Sequence, residues 1–194
     1  MIYLVRHGET VQNKAGLMQG RSDFPLNERG EEQARLLGQC FRRAGVRFDA
    51  VYASPLRRAV QTAALIAGED ADIRVDERLI EMDYGPYEGM DLRHPAPEVL
   101  AFFMDFVNVP APAGMEKLSV VTARLGRFLE ELKPACAGKS ILISTHAIAL
   151  KGALEYLTPE SGGSYWAKNI GNCAVYRTEL DGGAFLAPEA WEPV

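Results

Sequence analysis

The residues best equipped for chemistry stand at the ends of two apolar runs. "YLVRHGET", residues 3–10, passes from Tyr3, Leu4 and Val5 straight into Arg6, His7, Gly8 and Glu9, and "ILISTH", residues 141–146, ends in His146. Runs of this length read as short buried strands, and open α/β sheets bind their ligands at the carboxyl ends of strands. If the two strands are neighbours, His7 and His146 meet at one sheet edge. A third segment, "SPLRR" at 54–58, reads as a helix start, with Ser54 at the cap, Pro55 in the first helical position and arginine in the first turn. Unpaired N–H groups and the helix dipole favour an anion there, and a guanidinium adds a forked donor. Taken singly, each piece has an ordinary explanation, a structural histidine or a solvated arginine. Taken together, two arginines, two histidines and a helix N-terminus make a pocket for phosphate. A neutral imidazole is a nucleophile that needs no metal, provided an acceptor such as a backbone carbonyl holds its other nitrogen.

Other candidates carry less. Glu9 reads as an anchor for an arginine, and His94, among the prolines of "DLRHPAPE", reads as a surface residue. The three histidines show none of the short ligand spacings of common zinc sites, so neither a metal nor a cofactor is expected.

The elements that must position these residues follow from pattern. Asn27 caps a helix from about Glu28 whose apolar stripe is Ala34, Leu37, Phe41 and Ala44. "DAVYAS" and "DIRVDERL" read as strands, "PEVLAFFMDFV" as a helix opened by Pro97, and "EKLSVVTARLGRFLEELK" and "IALKGALEYL" as helices flanking the strand that ends in His146. "NCAVYRTEL" and "AFLAPEAW" are expected to close the sheet. Strands alternating with helices indicate an α/β sandwich on a mostly parallel sheet, and with no repeat or linker residues 1–194 read as one domain.

The 194 residues, 47% of them hydrophobic, suffice for one buried core. A net charge of −5 argues against a nucleic-acid partner. Cys40, Cys136 and Cys173 form no CxxC and read as reduced thiols of a cytoplasmic protein. No signal peptide and no apolar stretch of about 20 residues is visible, so no membrane association is expected. The oligomeric state is left open, a homodimer included.

Six ordered motifs resemble those of the histidine phosphatase superfamily, the phosphoglycerate mutase-like proteins: "RHGET" with Asn13, "QG" at Gln19–Gly20, "PLNERGEEQA", "SPLRRAVQTA", "LIEMDYGPYEG" and "ISTHAIALKGAL". The resemblance spans nearly the whole chain and implies a three-layer α/β/α sandwich. It makes His7 the nucleophile, places Arg6, Arg58 and His146 around the phosphoryl oxygens, and makes Glu81 the proton donor. Asn13, Gln19, Gly20 and Ala147 fall on the substrate side. Of the arginine pair it selects Arg58, leaving Arg57, about 100° around the helix, to solvent. Two departures stand out. Ala147 and Ile148 replace the usual glycines and are expected either to crowd the pocket floor or to alter the substrate, and "AGMEK" at 113–117 replaces a Gly-Glu-Ser and puts a substrate contact in doubt.

The family contains phosphatases and mutases, and the mutases carry a longer, basic insertion between acid and second histidine. Here residues 89–117 offer only Arg93, His94 and Lys117 as cations, and Phe102, Phe103, Met104, Phe106 and Met115 dominate. The expected activity is therefore hydrolysis of a small-molecule phosphate ester through a phosphohistidine, with α-ribazole 5′-phosphate or a broad range as substrate. Phosphoglycerate mutase-type transfer and a silent phosphoryl-binding module are the alternatives. The segment "EVLAFFMDFV" is apolar on nearly every side, so its phenylalanines either line the pocket mouth or lie under an adjoining loop.

Overall fold

The computed structural model describes residues 1–68 and 70–192. In chain order its elements are β1 (Ile2–Arg6), α1 (Val11–Ala15), α2 (Glu28–Arg43), β2 (Ala50–Ala53), α3 (Arg57–Ala67), β3 (Ile73–Val75) and α4 (Pro97–Met104). There follow α5 (Leu118–Cys136), β4 (Ile141–Thr145), α6 (Ala147–Leu157), β5 (Val175–Thr178), β6 (Leu180–Asp181), β7 (Ala184–Phe185) and β8 (Glu189–Ala190). The main sheet has the order β3-β2-β4-β1-β5-β8, its first four strands mutually parallel, β5 antiparallel to β1, and β8 antiparallel to β5.

Alternation along the two apolar runs builds the layers. Ile2, Leu4, Ile141 and Ile143 join one buried cluster with α5 and α6, while Tyr3, Val5 and Leu142 join a second with Leu37 and Phe41 of α2 and Ala63 and Ile66 of α3. Helices thus cover both faces, which is why β1 and β4 read as continuous apolar strands rather than alternating ones. β1 and β4 are neighbours in register, Leu4 opposite Ile143 and Arg6 opposite Thr145, as the placement of the two histidines requires.

Several boundaries differ from the sequence reading for local reasons. α2 begins at Glu28 with the Asn27 side chain accepting from Gly30 N–H, as expected. α3 begins at Arg57 rather than Pro55, because Leu56 is its cap and the Ser54 hydroxyl is committed to His146 at 2.7 Å. The strand expected through "DIRVDERL" stops at Val75, where Asp76 accepts from Arg78 N–H and opens a 3₁₀ turn over Glu77–Leu79. "AFLAPEAW" divides: Ala184–Phe185 forms a separate ribbon with Leu180–Asp181, and only Glu189–Ala190 joins the main sheet. The short helix α1 buries no residue and so leaves no apolar stripe to read. It is fixed by a capping box between Thr10 and Asn13.

Gly8 is required by closeness rather than flexibility. A Cβ on it would lie 2.4 Å from the Gly30 carbonyl oxygen, and one on Gly30 would lie 2.1 Å from that of Glu9. The first turn of α2 therefore closes directly onto the loop that carries His7. Among the described residues no helix is long and apolar enough to cross a membrane.

Candidate active site

At the carboxyl ends of β1 and β4 the His7 and His146 rings lie 5.1 Å apart, centroid to centroid. His7 Nδ1 is 2.7 Å from the Gly8 carbonyl, so Nδ1 carries the proton and the lone pair sits on Nε2. Arg58, from the first turn of α3, is fully buried and directs its Nε–H between two imidazole lone pairs, 3.3 Å from His7 Nε2 and 3.2 Å from His146 Nδ1. With Nδ1 accepting, His146 Nε2 donates to Ser54 Oγ. Arg57 is exposed, as expected.

Burial, chiefly, holds both imidazoles well below the ordinary histidine value, and the neighbouring Arg58 charge adds to it. Both are neutral at physiological pH. Arg58 is pushed down to about 10 by burial and stays charged. Its Nη1 and Nη2 donate to the Ser22 and Gly20 carbonyls at 2.7 and 2.6 Å. Those residues are held in turn by Glu88, which accepts from Gly20 N–H at 2.9 Å and Ser22 N–H at 3.2 Å, and from the Ser22 hydroxyl. Gly20 thus braces Arg58 through its carbonyl and is not among the residues that line the cleft. A Cβ there would meet a Glu88 carboxylate oxygen and the Met82 carbonyl at 2.6 Å, so the position admits only glycine.

In front of this floor lies a cleft of about 410 Å³. Arg6 donates to the Ile170 carbonyl, but its buried Nε has no partner. Gln19 accepts from the Thr10 hydroxyl at 2.7 Å, and its Nε2 is likewise buried and unpaired. Both residues line the cleft, and each keeps one buried donor without a partner beside it. Asn13 also lines it, with Oδ1 fixed by Thr10 N–H and Asn172 Nδ2, each at 3.3 Å. Glu81 is 3% exposed and sits on the first turn of α6. Its Oε1 accepts from Met82 and Ala149 N–H at 2.9 Å each, and Oε2 from Ile148 N–H at 3.2 Å. Ala147 and Ile148 do line the cleft, yet they belong to the helix turn that holds Glu81 rather than to an obstruction over His7.

The remaining candidates fall outside. Glu9 accepts from Asn27 Nδ2 at 2.9 Å and meets the exposed Arg29 only at 3.9 Å, so it anchors the cap of α2 more than an arginine. His94 is exposed and away from the cleft. Glu116 of "AGMEK" is paired with Arg124 at 2.9 Å and does not reach the site. Among the described residues no group of three histidine, cysteine, aspartate or glutamate side chains is arranged to hold a metal.

The mouth joins phenylalanines the sequence reading offered for it with residues that reading did not select. α4 divides its phenylalanines: Phe102 is 1% exposed and in the core, while Phe103 and the following Phe106 line the cleft. Tyr84, Lys151, Trp166 and Lys168 line it too. Lys151 had a legible signal, since it lies four residues after Ala147 and so on the same helix face. Trp166 and Lys168 belong to an irregular loop with no periodicity to expose them.

Comparison with known proteins agrees with this geometry. The histidine phosphatase superfamily (branch 1) matches residues 2–190. A 2,3-bisphosphoglycerate-dependent phosphoglycerate mutase of Parvibaculum lavamentivorans is 34% identical over 93% of this chain and 90% of its own length. Phosphoserine phosphatase 1 of Hydrogenobacter thermophilus is 30% identical over 89% and 83% respectively. The solved structure of Bacillus stearothermophilus YhfR superposes with a TM-score of 0.85 at 31% identity, covering 96% of this chain and 94% of that one.

Proposed function

The chain belongs to the histidine phosphatase superfamily, and we propose that within it the protein is a phosphomonoesterase acting through a phosphohistidine on His7. The observation that carries this reading is the Gly8 carbonyl bond to His7 Nδ1, which leaves a lone pair on Nε2 beside the Arg58 Nε–H in a dry floor. Nε2 attacks phosphorus, the P–O ester bond breaks, and its electrons leave on the alkoxide. Glu81 gives that oxygen a proton, Oε2 with its single 3.2 Å bond being the oxygen free to carry it. Water then attacks the phosphohistidine, Glu81 takes the water's proton, and inorganic phosphate leaves. Arg6 and Arg58 serve the peripheral phosphoryl oxygens, where the charge of the transition state resides, joined by His146 once its proton shifts to Nδ1 with Nε2 accepting from Ser54.

Hydrolysis rather than return of the phosphoryl group is supported by what residues 89–117 bring to the cleft, Leu92, Phe103 and Phe106 but none of that segment's cations. A mutase must retain a phosphorylated alcohol between two transfers, and that segment supplies nothing to hold one. The apolar wall admits a ring-bearing alcohol, as in α-ribazole 5′-phosphate, and smaller esters as well, which favours a broad range.

Rapid acid-free quenching with a ³²P-labelled phosphomonoester tests the mechanism. An acid-labile, base-stable phosphoryl group is expected on the wild-type protein and absent in His7→Ala, whose turnover falls roughly 10⁴-fold or more. An active His7→Ala with no trapped intermediate in the wild type overturns it. Delivery of the label to a second alcohol in preference to water assigns the mutase reaction instead.

A further inference from the structure

The carbonyl that accepts from His7 Nδ1 belongs to the Gly8–Glu9 peptide, so the ring is only as well oriented as that peptide plane. A trans peptide points its C=O and N–H in opposite directions. On the side away from His7, Glu9 N–H donates to the Gln33 side-chain amide, with Oε1 at 2.9 Å. A continuous chain of bonds therefore runs from the Gln33 amide through the peptide to His7 Nδ1–H, and bonds linked in this way polarise one another. Gln33 is half-buried on α2, three residues after Gly30 and so on the helix face that closes onto Glu9.

The peptides on either side are held from elsewhere. The His7 carbonyl accepts from Asn172 Nδ2 at 2.9 Å, and Gly8 N–H donates to Thr62 Oγ1 at 3.0 Å. Downstream, the Glu9 carbonyl accepts from Asn27 N–H at 3.0 Å. Between these fixed points the Gly8–Glu9 plane is the one with room to turn, since Gly8 has no Cβ to restrict it. A turned plane takes its carbonyl away from Nδ1 and leaves the N–H of a buried ring unpaired. We propose that Gln33 is a positioning residue for the nucleophile: by accepting from Glu9 N–H it keeps the Gly8 carbonyl on His7 Nδ1 and so holds the ring in its attacking orientation, without touching substrate. The bond matters most during transfer. As Nε2 bonds phosphorus the ring gains positive charge, so its Nδ1–H bond becomes charge-assisted and stronger than in the resting protein.

The effect on the reaction rests on the phosphohistidine reading, and the test separates the two. Gln33→Met removes the acceptor at similar volume, while Gln33→Glu keeps one. In ¹⁵N-resolved NMR of the substrate-free protein, the His7 Nδ1–H proton is expected downfield and slow to exchange in the wild type and in Gln33→Glu. In Gln33→Met it should move upfield and exchange faster. In quenched flow with a ³²P-labelled phosphomonoester, label should reach His7 roughly 10- to 100-fold more slowly in Gln33→Met, the worth of a hydrogen bond to a charged group. Half-saturation by inorganic phosphate should not change, because Arg6 and Arg58 are untouched, and Gln33→Glu should recover most of the labelling rate. An unaltered Nδ1–H signal or an unaltered labelling rate in Gln33→Met overturns the role, and so does a Gln33→Glu protein that behaves like Gln33→Met. Absence of label from the wild-type protein overturns the phosphohistidine reading instead, and the Nδ1–H comparison, which uses no substrate, still decides the role of Gln33.

Discussion

The floor and the mouth of the cleft are built on different principles. The imidazoles and Arg58 of the floor are delivered by the end or first turn of a regular element, His7 by β1, His146 by β4 and Arg58 by α3, and each is fixed from at least two sides. The mouth is assembled from one side of α4, one turn of α6 and the irregular segment around Trp166–Lys168, with few bonds holding its side chains. A floor set by the sheet edge keeps the reaction constant, whereas a mouth made from loops and single helix faces can be altered without disturbing it. Glu81 belongs to the floor by this standard, since three backbone N–H groups fix it.

The sharpest way to break the distinction is to change a floor residue and look for an effect that depends on the leaving group alone. Glu81→Gln keeps the shape but cannot donate a proton, so kcat for an alkyl phosphate should fall roughly 10²–10⁴-fold. The fall should be much smaller for p-nitrophenyl phosphate, whose leaving group needs little protonation. Equal losses on both would place the proton donor elsewhere.

A smaller contrast sits within α4. Phe102→Ala should cost about 3–5 kcal/mol of stability by opening a core cavity, read as a lower denaturation midpoint with KM little changed. Phe103→Ala should do the reverse, raising KM for an aryl phosphate several-fold while costing less than about half of that stability, because its ring is partly exposed at the mouth. If the two variants behave alike, the mouth is part of the core and the comparison fails.

The smallest effect is on stability against pH. His7 and His146 are held neutral in the fold, while an unfolded chain protonates them below about pH 6.5. The unfolded state then binds more protons, so stability is fully present above about pH 6.5 and declines below it, by up to about 1.4 kcal/mol per pH unit for each histidine. Urea denaturation between about pH 7.5 and 5.5 should show this decline. A flat profile would mean that the floor admits water.

The floor was largely legible because each of its residues ends or begins a strongly patterned element. Two apolar strands ending in histidine, the first through Arg6, and an arginine pair after Ser-Pro were enough to place all four cationic or basic groups near one another. What the pattern did not show lies where side chains outcompete local rules. Ser54 has the type of a cap, yet its hydroxyl bonds His146 and the helix starts later. Gly20 sits in a motif that points toward substrate, yet contact with Glu88 and the Met82 carbonyl leaves room only for glycine behind Arg58. The Glu88 brace depends on a contact 68 residues away along the chain, which no local period encodes. Phe102 and Phe103 are adjacent and chemically identical, and only the packing of α4 sends one inward and the other to the cleft.

The single Arg58 Nε–H shared by two imidazoles also sets an arithmetic of charge. Among guanidiniums and imidazoles it leaves the floor with two positive groups, Arg6 and Arg58, and two neutral bases, with Glu81 beside them as the proposed proton carrier. A phosphomonoester carries nearly two negative charges at neutral pH, its second ionisation lying near pH 6, and so cancels the pair. A phosphodiester carries one and would strand a desolvated cation, at a cost of several kcal/mol. Discrimination between the two classes is therefore built in before any shape is tested. Inorganic phosphate, with the same charge as a monoester, fits the same balance, so under the proposed hydrolysis it is expected to compete with the substrate for that floor.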